Sequence, residues 1–247
     1  MLDLLDAGLP APATGLFTTR AGGTSLAPWC SLDLAHHVGD DVDRVTANRG
    51  LLSAALGLTD MDVAYMSQPH SNCVGVVDRP NSQALAYGVP GVDALVTRTR
   101  GVGLAVLAAD CLPVLFADPV AGVVAVAHAG RRGLVDGVLQ AVLRVMAEQG
   151  ADAARTTATI GPAVCDRCYE LPQALVDEVA AAIPGSTSQT AAGTPSVTLG
   201  GAARSILERA GVRVLDVGLC TVEQPDRFYS YRRDGVTGRH AGVVVLR

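Results

Sequence analysis

Three residues far apart in the chain carry side chains that a soft or borderline divalent metal accepts as ligands. They are His70 in SQPHSNCV, Cys111 in LAADCLPVLF and His128 in VAVAHAGRRG. Two imidazoles and one thiolate bind zinc and leave a fourth position for water or substrate. Their separations, 41 and 17 residues, fit no compact zinc motif. A single buried cysteine is usually core filler, and a lone histidine at a strand end is usually hydrogen-bonded. A catalytic centre therefore requires that three separate elements bring these side chains together.

Those elements can be read from apolar patterning. Short runs rich in Val, Ala and Leu predict strands at 63–67, 73–78, 93–97, 102–108, 112–117 and 122–128. Residues 14–26 predict a strand running into a tight turn at Gly22-Gly23, and 157–161, 213–217 and 242–246 predict further strands. Helical spacing predicts helices over 41–57, capped by Asp40 or Asp41 and ended by Gly57, and over 134–149, 171–183 and 198–211. The small, polar stretch 185–196 predicts a loop. His70 follows Gln68-Pro69, where Pro69 biases Gln68 to extended geometry. Asp110 points opposite to Cys111 if both lie in a strand, which predicts a supporting or helix-capping role. Strands and helices are mixed, with successive strands in the middle. The expectation is one α+β domain over residues 1–247, with helices covering stacked sheets.

Composition removes several functions. The chain is 49% hydrophobic and 17% charged, which is globular and not disordered. The net charge of −5 and the lack of a basic stripe speak against nucleic acid as a partner. All 19 basic residues are arginine, so a Schiff-base lysine and a phosphate-loop lysine are excluded. Any anion must be held by Arg forks or backbone N–H groups. Asp110 interrupts the longest apolar run, so no membrane span is expected. The N-terminus MLDLLDAGLP does not read as a signal peptide, and a cytoplasmic protein with reduced thiols is expected.

The segments QPHSNCV, ADCLPVLFADP, AHAGRRGL, IGPAVCDRCYE and FYSYRRDGVTGRHAGVVVL, with RAGGTS, SLDLAHHVGDD and Asn48-Arg49 upstream, together resemble one family. It is the YfiH-type multicopper polyphenol oxidase (laccase-domain) family, also called peptidoglycan editing factor or purine nucleoside phosphorylase. The resemblance runs from about Arg20 to the C-terminus. It implies a four-layer α/β/β/α sandwich, with His70, Cys111 and His128 as catalytic metal ligands. It implies Zn2+, with copper as the alternative metal. The implied reaction cleaves a purine nucleoside (adenosine, inosine or methylthioadenosine) with phosphate to free base and ribose 1-phosphate, and adenosine deamination is also associated with the family. This chain departs from the family pattern at Arg131, where a Trp is usual, and at Asp33, where an Asn is usual.

By motif position, Arg49, Arg132, Arg232, Arg233 and Arg239 are the phosphate candidates, and His37 is a further pocket candidate. His36 is expected to be exposed, and His240 to orient a partner or serve the structure. Cys165-Asp166-Arg167-Cys168 is a CxxC without a second pair to complete a four-cysteine zinc site, and reads as a coincidental pair at a turn. Five histidines are too few for a coupled multicopper centre, though not for a single-copper phenol oxidase. The competing enzyme class is a cysteine hydrolase acting on a peptidoglycan precursor, with Cys111 as nucleophile and His70 or His128 as base. A metal-stabilised binding protein is the non-catalytic alternative.

Overall fold

Strands that are apolar at every position must be covered on both faces, because successive side chains point to opposite sides. The computed structural model, which describes residues 2–78 and 88–247, meets that requirement by stacking two sheets. One sheet orders β1 (Leu4–Asp6), β2 (Ala13–Thr18), β13 (His240–Leu246), β6 (Gly103–Ala108) and β3 (Val63–Ala64). The other orders β12 (Arg213–Asp216), β9 (Thr157–Ile160), β7 (Leu112–Asp118), β8 (Val123–Ala129), β5 (Ala94–Thr97) and β4 (Val74–Val76).

Alternation along each strand builds the layers. Leu104, Val106, Leu115, Val124, Val126 and Val244 fill the space between the sheets around Phe17. Their neighbours Ala105, Leu107, Val243 and Val245 face outward, onto Leu52 of α1 (Val42–Ala55). On the far side, Val114, Phe116, Ala125 and Ala127 pack against four helices. These are α2 (Arg131–Val135), α3 (Val138–Glu148), α4 (Gln173–Ala182) and α5 (Leu199–Arg209). The result is the expected α/β/β/α order.

Two expectations change. The helix expected over 134–149 is two helices, α2 and α3, because Gly137 at φ +83° breaks the path between them. α2 begins directly after Gly130, beside the strand end that carries His128. The loop expected over 185–196 holds a hairpin of β10 (Thr187–Gln189) and β11 (Pro195–Val197). Its turn is closed by Thr190 N donating to Thr194 O (2.9 Å) and by a 2.6 Å bond between the two hydroxyls. Such short, polar strands carry no apolar period to read.

Phe17 spans the gap between the sheets because glycine faces it from both sides. A Cβ at Gly161 would come within 2.2 Å of the Phe17 ring, and one at Gly242 within 2.9 Å. Gly161→Ala should therefore overpack this core and destabilise the protein by about 1–3 kcal/mol or more. Gly200→Ala, whose Cβ meets only Asp216 Oδ2 at 3.9 Å, is the control and should not destabilise. Chemical denaturation of the two variants checks this, and equal stabilities would refute the packing argument.

Candidate metal centre and cleft

Two of the chain's crossings between the sheets lie side by side, through 65–73 between β3 and β4 and through Ala109-Asp110-Cys111 between β6 and β7. Four Cα steps from Ala108 to Leu112 reach at most about 14 Å, and packed sheets stand about 10 Å apart. The second crossing thus has little slack. Asp110 makes it with φ +94°, a conformation uncommon for a residue with a side chain. Its carboxylate anchors that turn. Oδ1 accepts from Thr221 Oγ1 (2.6 Å) and Oδ2 accepts from Arg232 N (2.7 Å), in the first turn of α6 (Tyr231–Asp234). The capping role expected of Asp110 is present, but Asp110 and Cys111 lie in the turn and not in a strand.

His70 is presented in a similar way. Gln68 and His70 have φ of +55° and +64°. Gln68 is therefore not extended, as Pro69 had suggested. Its side chain instead bonds both backbone groups of Leu107, donating to the carbonyl (2.7 Å) and accepting from the amide (2.9 Å), and so ties the His70 loop to β6.

The residue that joins these parts is Asp93, which sequence reasoning passed over. It is fully buried at the start of β5. Oδ1 accepts from His70 N (3.0 Å) and meets His128 Nδ1 (2.8 Å), and Oδ2 accepts from Ser71 N (2.6 Å) and Ser71 Oγ (2.8 Å). Burial pushes its pKa up, but the bonds from His128 and Ser71 hold it below the ordinary carboxylate range. An ionised Asp93 keeps a proton of His128 on Nδ1, so Nε2 is the nitrogen that faces Cys111 and would face a metal. The only sequence signal was an acid opening an otherwise apolar strand.

Ligand atoms of His70, Cys111 and His128 all lie within 4.8 Å of one another. His70 Nε2 is 3.8 Å from Cys111 Sγ, and the two imidazoles meet edge to face with centroids 4.8 Å apart. Gly130 leaves room for this, since a Cβ there would come within 2.9 Å of the sulfur and 3.1 Å of the His70 ring. Burial pushes the Cys111 thiol up, but His128 and His70 carry it down to about 6. Burial opposes protonation of His128, yet Cys111 and Asp93 raise it to about 9. A thiolate beside two imidazoles, of which His128 has its far nitrogen already tethered to Asp93, is a donor set that suits a tetrahedral zinc with one position open.

These three side chains open onto a cleft of about 280 Å³, lined also by His37, Ser67, Gln68, Leu107, Ala108, Ala109, Tyr231 and Arg239. No carboxylate is among these lining residues. Of the phosphate candidates, Arg239 lines the cleft. Arg232 stacks over Tyr169 at 4.8 Å. Arg49 is buried, bonds Leu34 O (2.9 Å) and lies over the Tyr65 ring at 3.7 Å. Arg233 is tied to Asp234 (2.7 Å) and to the carbonyls of Thr221 and Phe228. Arg132 is exposed beside Asp136 (3.6 Å). Arg131, placed where an aromatic was expected, pairs with Glu178 (3.0 Å). The aromatic surface in the cleft is Tyr231, which sequence reasoning did not single out.

His37 lines the cleft, and burial, with Arg239 and Arg49 nearby, holds it below its ordinary pKa. Contrary to expectation, His36 is the more covered of the pair, with Nε2 3.4 Å from Thr46 Oγ1 on α1. His240 is sealed in the core against Phe228, and burial lowers it to about 3, so it is a neutral structural residue.

A sequence model described as multi-copper polyphenol oxidoreductase laccase matches residues 14–247. A purine nucleoside phosphorylase of Streptomyces coelicolor is 51% identical over 231 residues, covering 93% of this chain and 94% of its own. An adenosine deaminase from an unknown prokaryotic organism is 34% identical over 242 residues, covering 93% and 92%. The crystal structure of YlmD from Geobacillus stearothermophilus superposes with a TM-score of 0.90 at 33% identity, covering 96% of this chain and 93% of that one.

Two substitutions probe this centre. Asp93→Asn keeps the shape but loses the charge that orients His128, and should weaken affinity for a divalent metal by about 10–100-fold in a chelator competition; unchanged affinity would refute its orienting role. Asp33, behind Arg239, is buried with Oδ1 accepting from Arg239 N (2.8 Å) and Ala35 N (3.1 Å), while Oδ2 has no hydrogen-bond partner. Burial raises its pKa to about 6. The folded state then holds the proton more tightly than the unfolded one, so this group's contribution is full below pH ~4 and is lost as pH rises through ~6. Asp33→Asn should add on the order of 1–3 kcal/mol at pH 7.5 and nothing at pH 4, read from denaturation at both pH values.

Proposed function

The chain belongs to the multi-copper polyphenol oxidoreductase laccase family, and from that premise we propose that it is a zinc-dependent purine nucleoside phosphorylase. One observation carries the reading. The cleft over His70, Cys111 and His128 offers an arginine and a tyrosine but no carboxylate among its lining residues. Deamination uses a carboxylate as its proton shuttle, whereas phosphorolysis needs a cation for the attacking anion. Asp93 and Asp110, the acids nearest the ligands, are occupied in holding the His70 loop, His128 and the Cys111 turn. The relative named purine nucleoside phosphorylase supports the same reading.

His70, Cys111 and His128 would hold the metal, which when bound supplies Lewis-acid polarisation of a substrate heteroatom. Arg239 offers its guanidinium to phosphate, and with no lysine in the chain the anion must rely on arginine. The ring of Tyr231 offers a face on which a purine stacks. His37, neutral at physiological pH, can hydrogen-bond a ribose hydroxyl without competing for the phosphate. In the reaction an oxygen of hydrogen phosphate bonds to C1′ of the ribose as the bond from C1′ to the base nitrogen breaks, and the proton that the phosphate carried ends on the departing base.

The family's copper label does not extend to a coupled centre here. Of five histidines, one is sealed in the core and two lie in the neighbouring His36-His37 pair. The cysteine-hydrolase reading has a specific observation in its favour, since Cys111, His128 and Asp93 are arranged as nucleophile, base and orienting acid. Such a triad needs one imidazole, however, and here a second, His70, converges on the same sulfur.

Purified protein incubated with inosine and adenosine, with and without phosphate, should release free base only when phosphate is present. His70→Ala should lower that rate by at least about 100-fold, and Arg239→Gln should raise the KM for phosphate by about tenfold. Ammonia and inosine from adenosine would instead establish deamination. Activity that persists after exhaustive chelation, with Cys111 trapped by an electrophile, would overturn the metal reading.

A further inference from the structure

A second group of ligand side chains lies outside the cleft. Cys165 and Cys168, read in the sequence as a CxxC without a partner, are joined by Cys220. The three sulfurs all lie within 4.8 Å of one another, although Cys220 is 55 residues away from Cys165. Glu223 stands three residues after Cys220 and brings Oε1 to 3.8 Å from Cys168 Sγ. The completed pattern is C-x-x-C followed by C-x-x-E, two ligand pairs with the spacing of zinc knuckles.

We propose that Cys165, Cys168 and Cys220 form a second metal site, which takes Zn2+ as three thiolates with Glu223 at the fourth position. Tetrahedral zinc with Zn–S bonds of 2.3 Å places its sulfurs about 3.8 Å apart, so the group needs shifts of no more than about an ångström. A disulfide would use two of these sulfurs and leave the third without a purpose, and all three are free thiols. Backbone pairing sets the convergence. Ala163 N donates to Leu219 O (3.2 Å) and Thr221 N donates to Ala163 O (3.0 Å), while Cys165 N donates to Cys220 Sγ (3.4 Å), as a knuckle amide does to a thiolate. Zinc binding releases three thiol protons to solvent. The negative charge left by three thiolates and a carboxylate is offset in part by Arg167, whose guanidinium already bonds Glu223.

The site would be structural, with all four positions filled by protein. Its two loops also hold the Cys111 turn, because Val164 N donates to Asp110 O (3.0 Å) and Thr221 Oγ1 to Asp110 Oδ1 (2.6 Å). A cation here would lock the wall behind the cleft without touching substrate.

The test uses Cys111→Ser protein, which lacks the cleft's thiolate, so that thiolate-to-metal absorption reports on the second group alone. Stripped of metal, kept reduced and titrated with Co2+, it should develop tetrahedral and thiolate charge-transfer bands that saturate at one equivalent and are displaced by Zn2+. Adding Cys168→Ser should abolish the bands. If that variant does not fold, Cys168→His, which keeps a ligand, should retain a weaker thiolate band. Wild-type protein should carry two zinc equivalents and His70→Ala one. A reduced, folded Cys111→Ser protein without a stoichiometric thiolate band, or with a band indifferent to Cys168, overturns the proposal. Because the readout does not involve nucleoside turnover, its failure and that of the phosphorylase reading are separate results.

Discussion

The arrangement of the centre depends on one buried carboxylate. Asp93 has no solvent to satisfy it, so its four hydrogen bonds must come from protein, and they come from His70, Ser71 and His128. Removing a partner from such a group leaves a buried charge uncompensated, which is far more unfavourable than losing a surface contact. The loop that carries His70 and the strand that carries His128 are therefore held in register by the same atom. Ligand placement and fold stability are coupled through it.

The backbone is strained around that anchor. Gln68, His70 and Asp110 are the non-glycine residues with positive φ among the described residues, and all three sit at the crossings that deliver ligands. Each such conformation costs on the order of 1–3 kcal/mol and persists only where surrounding bonds over-determine it. Here Gln68 is held by Leu107, His70 by Asp93, and Asp110 by Thr221 and Arg232. The stacked sheets make this strain necessary. A chain that must step between two packed layers in a few residues has few other conformations with which to aim a thiolate and an imidazole at one point.

The cysteine group at 165, 168 and 220 extends the same logic one layer outward. It gathers the two loops whose Val164 N and Thr221 hydroxyl hold Asp110, so the segments that carry these thiols also support the Cys111 turn from behind. The arginines divide in a similar way. Arg239 faces the cleft, whereas Arg233 and Arg131 are engaged in ion pairs that fasten the walls. Arginine thus serves both as the cleft's cation and as a brace, and only the partner tells the two apart.

Much of the architecture was legible in the chain, because short apolar runs such as LPVLFAD and VVAVAHA read as strands covered on both faces. The ligand types were legible as well, since His70, Cys111 and His128 lie at the ends of such runs. Asp93 and Cys220 were not, because a hydrogen-bond partner or a third sulfur is defined by distance in space, which the neighbouring residues in the chain do not encode. Nor could the sequence separate Arg239 from Arg233, which differ only in what lies within reach of the guanidinium. Local pattern determined the apolar strands and the donor types, because side-chain alternation and donor chemistry are properties of short segments, and family resemblance supplied the four-layer order and the ligand set. The tertiary structure decided which donors converge and which arginines remain for a substrate, because convergence is produced by chain crossings between sheets and by long-range bonds to Asp93 and Asp110.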